Sequence, residues 1–214
     1  MDYRIYLAGS LFDHKALTGN RLLAAAIEAV SAGRFGCVLP QDLEQLNAGR
    51  HDIRNNDLKA LMSCELALFN FDGPELDSGT VMEFVFAKML DIPAVILRTD
   101  FRLAGDQLDG GPSFNLMLSG YPRTVVVELN AMALYHDHCV SGDLRQQLEG
   151  YYSELADMVV TAFDQVLNQP PVERPADAAT LYRWVAAAVG GGYPELVESQ
   201  IEETVRLRLL RGLL

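Results

Sequence analysis

Apolar residues recur in two rhythms along this chain. Short, nearly unbroken apolar runs at residues 3–9, 35–39, 66–71, 93–97 and 124–129 read as strands, because a strand buried on both faces of a sheet needs no polar alternation. Between them lie longer stretches with apolar positions three and four apart. Residues 15–32 are rich in Leu and Ala and stop at Gly33, and residues 52–63 place Ile53, Leu58, Leu61 and Met62 at helical spacing. A further helical pattern opens at Gly79. Strand alternating with helix predicts a parallel, doubly wound sheet covered by helices on both sides.

A five-stranded parallel sheet of this kind is flavodoxin-like, and its ligands bind beyond the carboxyl ends of the strands at the topological switch point. That rule draws together Tyr6, Ala8 and Gly9 after the first strand, residues 72–77 after the third, and the start of the Gly79 helix. The Gly-rich segment 100–120 predicts a functional loop containing a short apolar turn at 114–118. From about residue 143 the pattern becomes helix after helix, at 144–167, 176–189 and 194–213, with breaks at the two prolines Pro170 and Pro171 and at Gly190–Gly192. The expected organisation is an α/β domain over residues 1–140 and a helical appendage over 141–214, packed on the core or forming a subunit contact.

Composition narrows the partners. The chain has 214 residues, half of them apolar (50%), and a formal net charge of -12 from 29 acidic against 17 basic residues. With no Lys/Arg cluster, this balance argues against nucleic acid or an anionic membrane as the main partner and favours a neutral or cationic small molecule. No apolar run is long enough to span a bilayer, and the N-terminus passes straight into a strand without a basic leader, so a cytoplasmic protein is expected. The 3 cysteines are widely spaced and suggest neither a disulfide framework nor a zinc site. His136 and His138, after the fifth strand, are expected in a solvated loop; neither a metal nor an organic cofactor is expected.

One charge is out of place. From Ser78 to Ala87, Glu83 is the only charged residue, flanked by Val81, Met82, Phe84, Val85 and Phe86. The helix should therefore be mostly buried, and a buried carboxylate is costly unless paired or hydrogen-bonded. Lying about one turn inside the helix, Glu83 is expected to remain ionised under the positive end of the macrodipole while apolar neighbours strip it of water. Such a group is either a nucleophile or a hydrogen-bonded core acid.

Four separated pieces, in order and spacing, resemble the nucleoside 2-deoxyribosyltransferases: Ile5-Tyr-Leu-Ala-Gly9 with Phe12, Asn55-Asn-Asp-Leu58, Asp77-Ser-Gly-Thr-Val-Met-Glu83, and Phe114-Asn-Leu-Met117. They span about residues 3 to 130, and the helical tail lies outside the pattern. The resemblance implies transfer of 2-deoxyribose between nucleobases through a covalent deoxyribosyl-glutamate, with 2-deoxynucleosides and free nucleobases as substrates. By the same resemblance Glu83 is the nucleophile, Asp57 protonates the departing base, Asp77 holds sugar or base, and Tyr6 orients Glu83. Asn115 is expected to be contributed to the site of a neighbouring subunit, in a homodimer or higher homo-oligomer. Ala8, Gly9, Phe12, Asp72, Gly79 and Met117 complete the expected substrate-binding set.

The chemistry asks for the same groups. Exchanging bases with retained configuration takes two displacements at one carbon, hence an anionic nucleophile and a proton source. Two carboxylates in different environments supply both, and like charges close together predict a protonated aspartate beside an ionised Glu83. Ser10 to His14 lack the Gly/Arg-rich phosphate cradle of the related 2-deoxynucleoside 5-monophosphate N-glycosidases, which favours free nucleosides. Two alternatives stay open: an N-glycosidase that hands the sugar to water, and a noncatalytic nucleotide-sensing domain on the same fold.

Overall fold

The computed structural model describes residues 2–43, 50–102, 111–174 and 176–214. Five parallel strands, β1 (Tyr3–Ala8), β2 (Phe35–Val38), β3 (Leu66–Asn70), β4 (Ala94–Arg98) and β5 (Thr124–Glu128), form one sheet in the order β2-β1-β3-β4-β5. Register runs Ile5 to Leu66 and Ala8 to Phe69 between β1 and β3, and Ala94 to Thr124 between β4 and β5. This is the flavodoxin-like order, and the chain leaves β1 toward β2 on one side and returns to β3 on the other, so the carboxyl ends of β1 and β3 flank the switch point.

Alternate residues of each strand feed two separate cores. Ile5, Leu7, Leu66, Leu68, Val95 and Leu97 face α1 (His14–Val30) and α5 (Leu144–Leu167). Tyr6, Ala8, Ala67, Phe69, Ala94 and Ile96 face α2 (Arg50–Ser63), α3 (Ser78–Met89), α6 (Ala178–Val189) and α7 (Tyr193–Leu210). The strands β1, β3 and β4 are buried on both faces, as continuous apolar runs should be. In β5 that expectation fails: Val126 is 44% exposed, because β5 is an edge strand whose Val125 and Val127 alone pack toward α5.

Local signals set the helix starts. Asp13, Asp143 and Asp177 each cap a helix by accepting backbone N–H bonds, and Asp143 forms a capping box with Gln146. The chain beyond β5 differs from the expected loop. Residues Ala131–His138 form α4, capped by the Asn130 side chain, which accepts from the backbone N–H groups of Met132 and Ala133. His138 Nε2 lies 2.6 Å from Glu154 Oε2 on α5. The 3-10 turn at Leu116–Leu118 realises the apolar turn; residues 103–110 of the expected functional loop lie outside the described residues.

The helices after β5 fall on opposite faces. Helix α5 covers the α1 side of the sheet through Leu155, Val159, Phe163 and Val166. Helices α6 and α7 form a hairpin on the α2–α3 side, where Tyr182, Tyr193, Val197 and Ile201 are buried. Two buried arginines fasten this hairpin. Arg208 Nη1 donates to the Tyr182 hydroxyl at 2.9 Å, and its Nη2 donates to the Cys64 carbonyl at the end of α2. Arg123 bonds Asp91 Oδ2 at 2.8 Å and the Leu213 carbonyl at 2.9 Å. Among the described residues no helix is long and apolar enough to cross a membrane.

Candidate active site

Strand alternation decides where Tyr6 points. It faces the α2–α3 layer, is fully buried, and its hydroxyl donates to Glu83 Oε1 at 2.6 Å. Burial and the neighbouring Glu83 charge push the tyrosine hydroxyl far above its ordinary value, which keeps it a donor. Glu83 stands on the second turn of α3, and the start of that turn is fixed by Asp77. As N-cap, Asp77 Oδ2 accepts from the Thr80 backbone N–H at 2.7 Å and from its hydroxyl at 2.9 Å.

Glu83, Asp77 and Thr80 line one small cavity of about 180 Å³ at the start of α3, beside Gly9 after β1 and Pro40 after β2. Gly9, Phe12, Asp57, Asp77, Gly79 and Glu83 all border it. The side chains of Glu83, Asp57 and Asp77 are neither sealed in the core nor fully solvated. Phe12 is 77% exposed and forms an apolar part of the cavity's rim.

The protonation differs from the sequence expectation. Burial pushes the Glu83 carboxyl up to about 7; the Tyr6 hydrogen bond acts in the opposite sense, and the charges of Asp57 and Asp77 add to the rise. Near neutral pH the protonated and ionised forms of Glu83 are therefore both populated, where the sequence predicted an ionised glutamate beside a protonated aspartate. Burial, the largest cause of the rise, outweighs the support expected from the macrodipole and from the Tyr6 hydrogen bond.

Not every expected substrate contact reaches this cavity. Ala8 is fully buried on the same sheet face as Tyr6. Asp72 turns toward the end of β4: Oδ1 accepts from the Thr99 and Asp100 backbone N–H groups at 2.5 and 2.9 Å, and Oδ2 accepts from the Thr99 hydroxyl at 2.8 Å. It borders a separate, polar cavity of about 570 Å³ between α1 and α5 that also touches Asp77. Asn115 caps the Leu116–Leu118 turn by accepting from the Met117 N–H at 3.0 Å, and both residues border a third cavity with Ser78 and Met82 rather than the one at Glu83. Arg98 is fully buried and donates to the Phe71, Gly73 and Arg102 carbonyls.

A further cavity of about 880 Å³ adjoins the small one and shares Ile53, Asp57, Gly79 and Glu83 with it. Its far wall is Val185, Ala188 and Val189 of α6, part of the appendage expected to pack on the core or to form a subunit contact rather than to border the site. The signal available was the run Gly190–Gly192 directly after them, which marks a sharp turn brought against another element. Among the described residues no group of three or more His, Cys, Asp or Glu is placed to hold a metal ion.

Comparison with known proteins follows the same outline. The family model described as nucleoside 2-deoxyribosyltransferase matches residues 5–169. No curated protein matches the chain significantly. Among solved structures, a conserved protein from Enterococcus faecalis V583 is similar at 27% identity and a TM-score of 0.51, over 60% of this chain and 92% of that one. A 2-deoxyribosyltransferase from the psychrotolerant bacterium Bacillus psychrosaccharolyticus is 16% identical with a TM-score of 0.44, over 67% of this chain and 95% of that one. A 2-desoxiribosyltransferase from Leishmania mexicana is 22% identical with a TM-score of 0.44, over 64% of this chain and 99% of that one. The family match ends at 169, so α6 and α7 lie wholly beyond it.

Proposed function

The chain belongs to the nucleoside 2-deoxyribosyltransferase family, and from that premise we propose that it exchanges the base of a 2-deoxynucleoside by double displacement, with Glu83 as the nucleophile. The observation that carries this reading is the 2.6 Å bond from the buried Tyr6 hydroxyl to Glu83 Oε1, beside a cavity of sugar-sized volume that Asp57 and Asp77 also border.

In the first displacement a carboxylate oxygen of Glu83 forms a bond to the anomeric carbon as the carbon–nitrogen bond breaks. The electron pair of that bond goes to the base nitrogen, which needs a proton. A proton carried by the protonated fraction of Glu83, passed to Asp57 as substrate enters, leaves the glutamate anionic and arms the aspartate as general acid. The Tyr6 hydroxyl steadies the carboxylate in the attacking rotamer. In the second displacement the incoming base gives its proton to Asp57 while its nitrogen attacks the anomeric carbon, and the ester bond to Glu83 breaks. Charge and protons balance over the two steps, and configuration is retained. Asp77, already fixed by Thr80, is suited to hold a sugar hydroxyl.

The proposal extends to a homo-oligomer in which Asn115 serves a neighbouring subunit, consistent with Asn115 and Met117 standing away from the Glu83 cavity of their own chain. Incubation with 2-deoxyadenosine, with and without cytosine, followed by separation of products, tests the reaction class. Transfer predicts deoxycytidine as the main product and little free deoxyribose; equally fast deoxyribose release without cytosine would make the protein an N-glycosidase instead.

A further inference from the structure

The α6–α7 hairpin is not a remote appendage: it is built against the helix that carries Asp57. Asn55 Nδ2 donates to the Gly191 carbonyl at 2.9 Å, and Arg54 Nη2 donates to the Gly190 carbonyl at 3.2 Å. One turn further along α2, the Leu58 carbonyl accepts from the buried Tyr193 hydroxyl at 3.1 Å. The turn between the helices is built on left-handed backbone that favours glycine, with φ +61, +60 and +81 at Gly190, Gly191 and Gly192. A Cβ at Gly191 would stand 2.6 Å from Arg54 Nη2, so a side chain there would displace the Arg54 guanidinium.

This seating brings one face of α6 opposite α3 across the cavity of about 880 Å³ that opens from Glu83. The two cavities differ in character. The inner one is small and bordered by carboxylates, whereas Val185, Ala188 and Val189 on α6 and Met82, Phe86 and Met89 on α3 make the outer one apolar. Asp57, the group assigned to exchange a proton with the base, borders both. A planar, uncharged heterocycle loses little by leaving water for such walls, and methionine side chains adapt to its faces.

We propose that the α6–α7 hairpin, which lies outside the family match, forms an aglycone subsite: the nucleobase, free or on the nucleoside, is held in the outer cavity between α3 and α6, with Ala188 at its mouth setting the size accepted. This rests on the transferase reading for its chemistry, but the subsite itself is measured by binding alone. Because Ala188 is exposed on its helix, a larger side chain there fills the cavity without entering the core.

The test is calorimetric titration of the full-length protein with adenine, with no sugar present, for the wild type, Ala188→Trp, and the control Ala187→Trp on the neighbouring exposed position. Expected are measurable binding to the wild type, affinity weakened about tenfold or more in Ala188→Trp, corresponding to ~1.4 kcal/mol, and no change in Ala187→Trp, with equal melting temperatures in all three. Wild-type binding unaffected by Ala188→Trp, equal weakening in both variants, or no adenine binding at all would overturn the subsite. The exchange assay separates the two claims: adenine binding blocked by Ala188→Trp in a wild type that makes no new deoxynucleoside retains the subsite and rejects the transferase, whereas exchange with the same KM for adenine in wild type and Ala188→Trp retains the transferase and rejects the subsite.

Discussion

The Tyr6 hydroxyl and the Glu83 carboxylate, separated by 77 positions in the chain, meet at 2.6 Å across the boundary between sheet and helix. Tyr6 is fixed by β1 and by complete burial, so it acts as a rigid donor that favours the charged form of Glu83 against the burial that opposes it. Tyr6→Phe removes that donor and leaves the ring in place. A hydrogen bond to a charged group contributes about 1.5–3 kcal/mol, so kcat/KM should fall ~10–100-fold. Its acidic limb should also move to higher pH, an effect that a purely structural role of the hydroxyl would not produce.

The raised Glu83 group gives stability and activity opposite pH dependences. In the folded protein the carboxyl titrates at about 7, against 4.5 for the ordinary group, so between those values the native state holds more protons than the unfolded chain. Stability contributed by this group is therefore full below the unfolded value and is lost as pH rises through about 7. Glu83→Gln should melt higher than wild type at pH 8, with the gap closing as the pH is lowered toward 4.5. Wild-type kcat/KM should rise through the same region as the nucleophile ionises. Parallel melting curves of the two proteins at all pH values would contradict the assignment of the shift to burial.

Asp91 and Arg123 anchor the end of the chain. Asp91 Oδ2 accepts from Arg123 and from the Val172 backbone N–H at 3.0 Å, both side chains are almost wholly buried, and the same guanidinium holds the Leu213 carbonyl. Removing one partner leaves a buried charge uncompensated, which costs about 3–5 kcal/mol. Asp91→Ala should lose that much in denaturant unfolding, while exchange of the pair for two apolar residues should recover most of it. The α6–α7 hairpin should loosen in the single variant, seen as faster amide exchange over α7 than over β3 and β4.

The sheet was legible because β1, β3 and β4 are continuous apolar runs, and Glu83 stood out as a candidate because it is the one charge between Ser78 and Ala87. What remained hidden depends on pairs far apart in sequence. Nothing near Asp72 announces that Thr99 and Asp100 take up both of its oxygens, 27 and 28 positions away. The Asn55–Gly191 bond spans 136 positions, so the hairpin's place beside Asp57 could not be read from the apolar stripe of α7. Helix α4 was a different kind of miss. Its Asn130 cap stands in the sequence, but eight residues with two histidines carry too weak an apolar period to override the reading of a loop. The rise of the Glu83 carboxyl comes first from burial, and how deeply that side chain is covered depends on packing that the local sequence does not display.

The assignment of Glu83 as nucleophile is tested most directly by trapping the sugar on the protein. A 2-fluoro-substituted deoxynucleoside slows the breakdown of a glycosyl-enzyme, and digestion followed by mass spectrometry then locates the label. The account predicts one sugar per chain, on the peptide containing Glu83 and at that residue, with no label in Glu83→Gln. A sugar attached to Asp57 or Asp77, or full turnover by Glu83→Gln with no label anywhere, would contradict it.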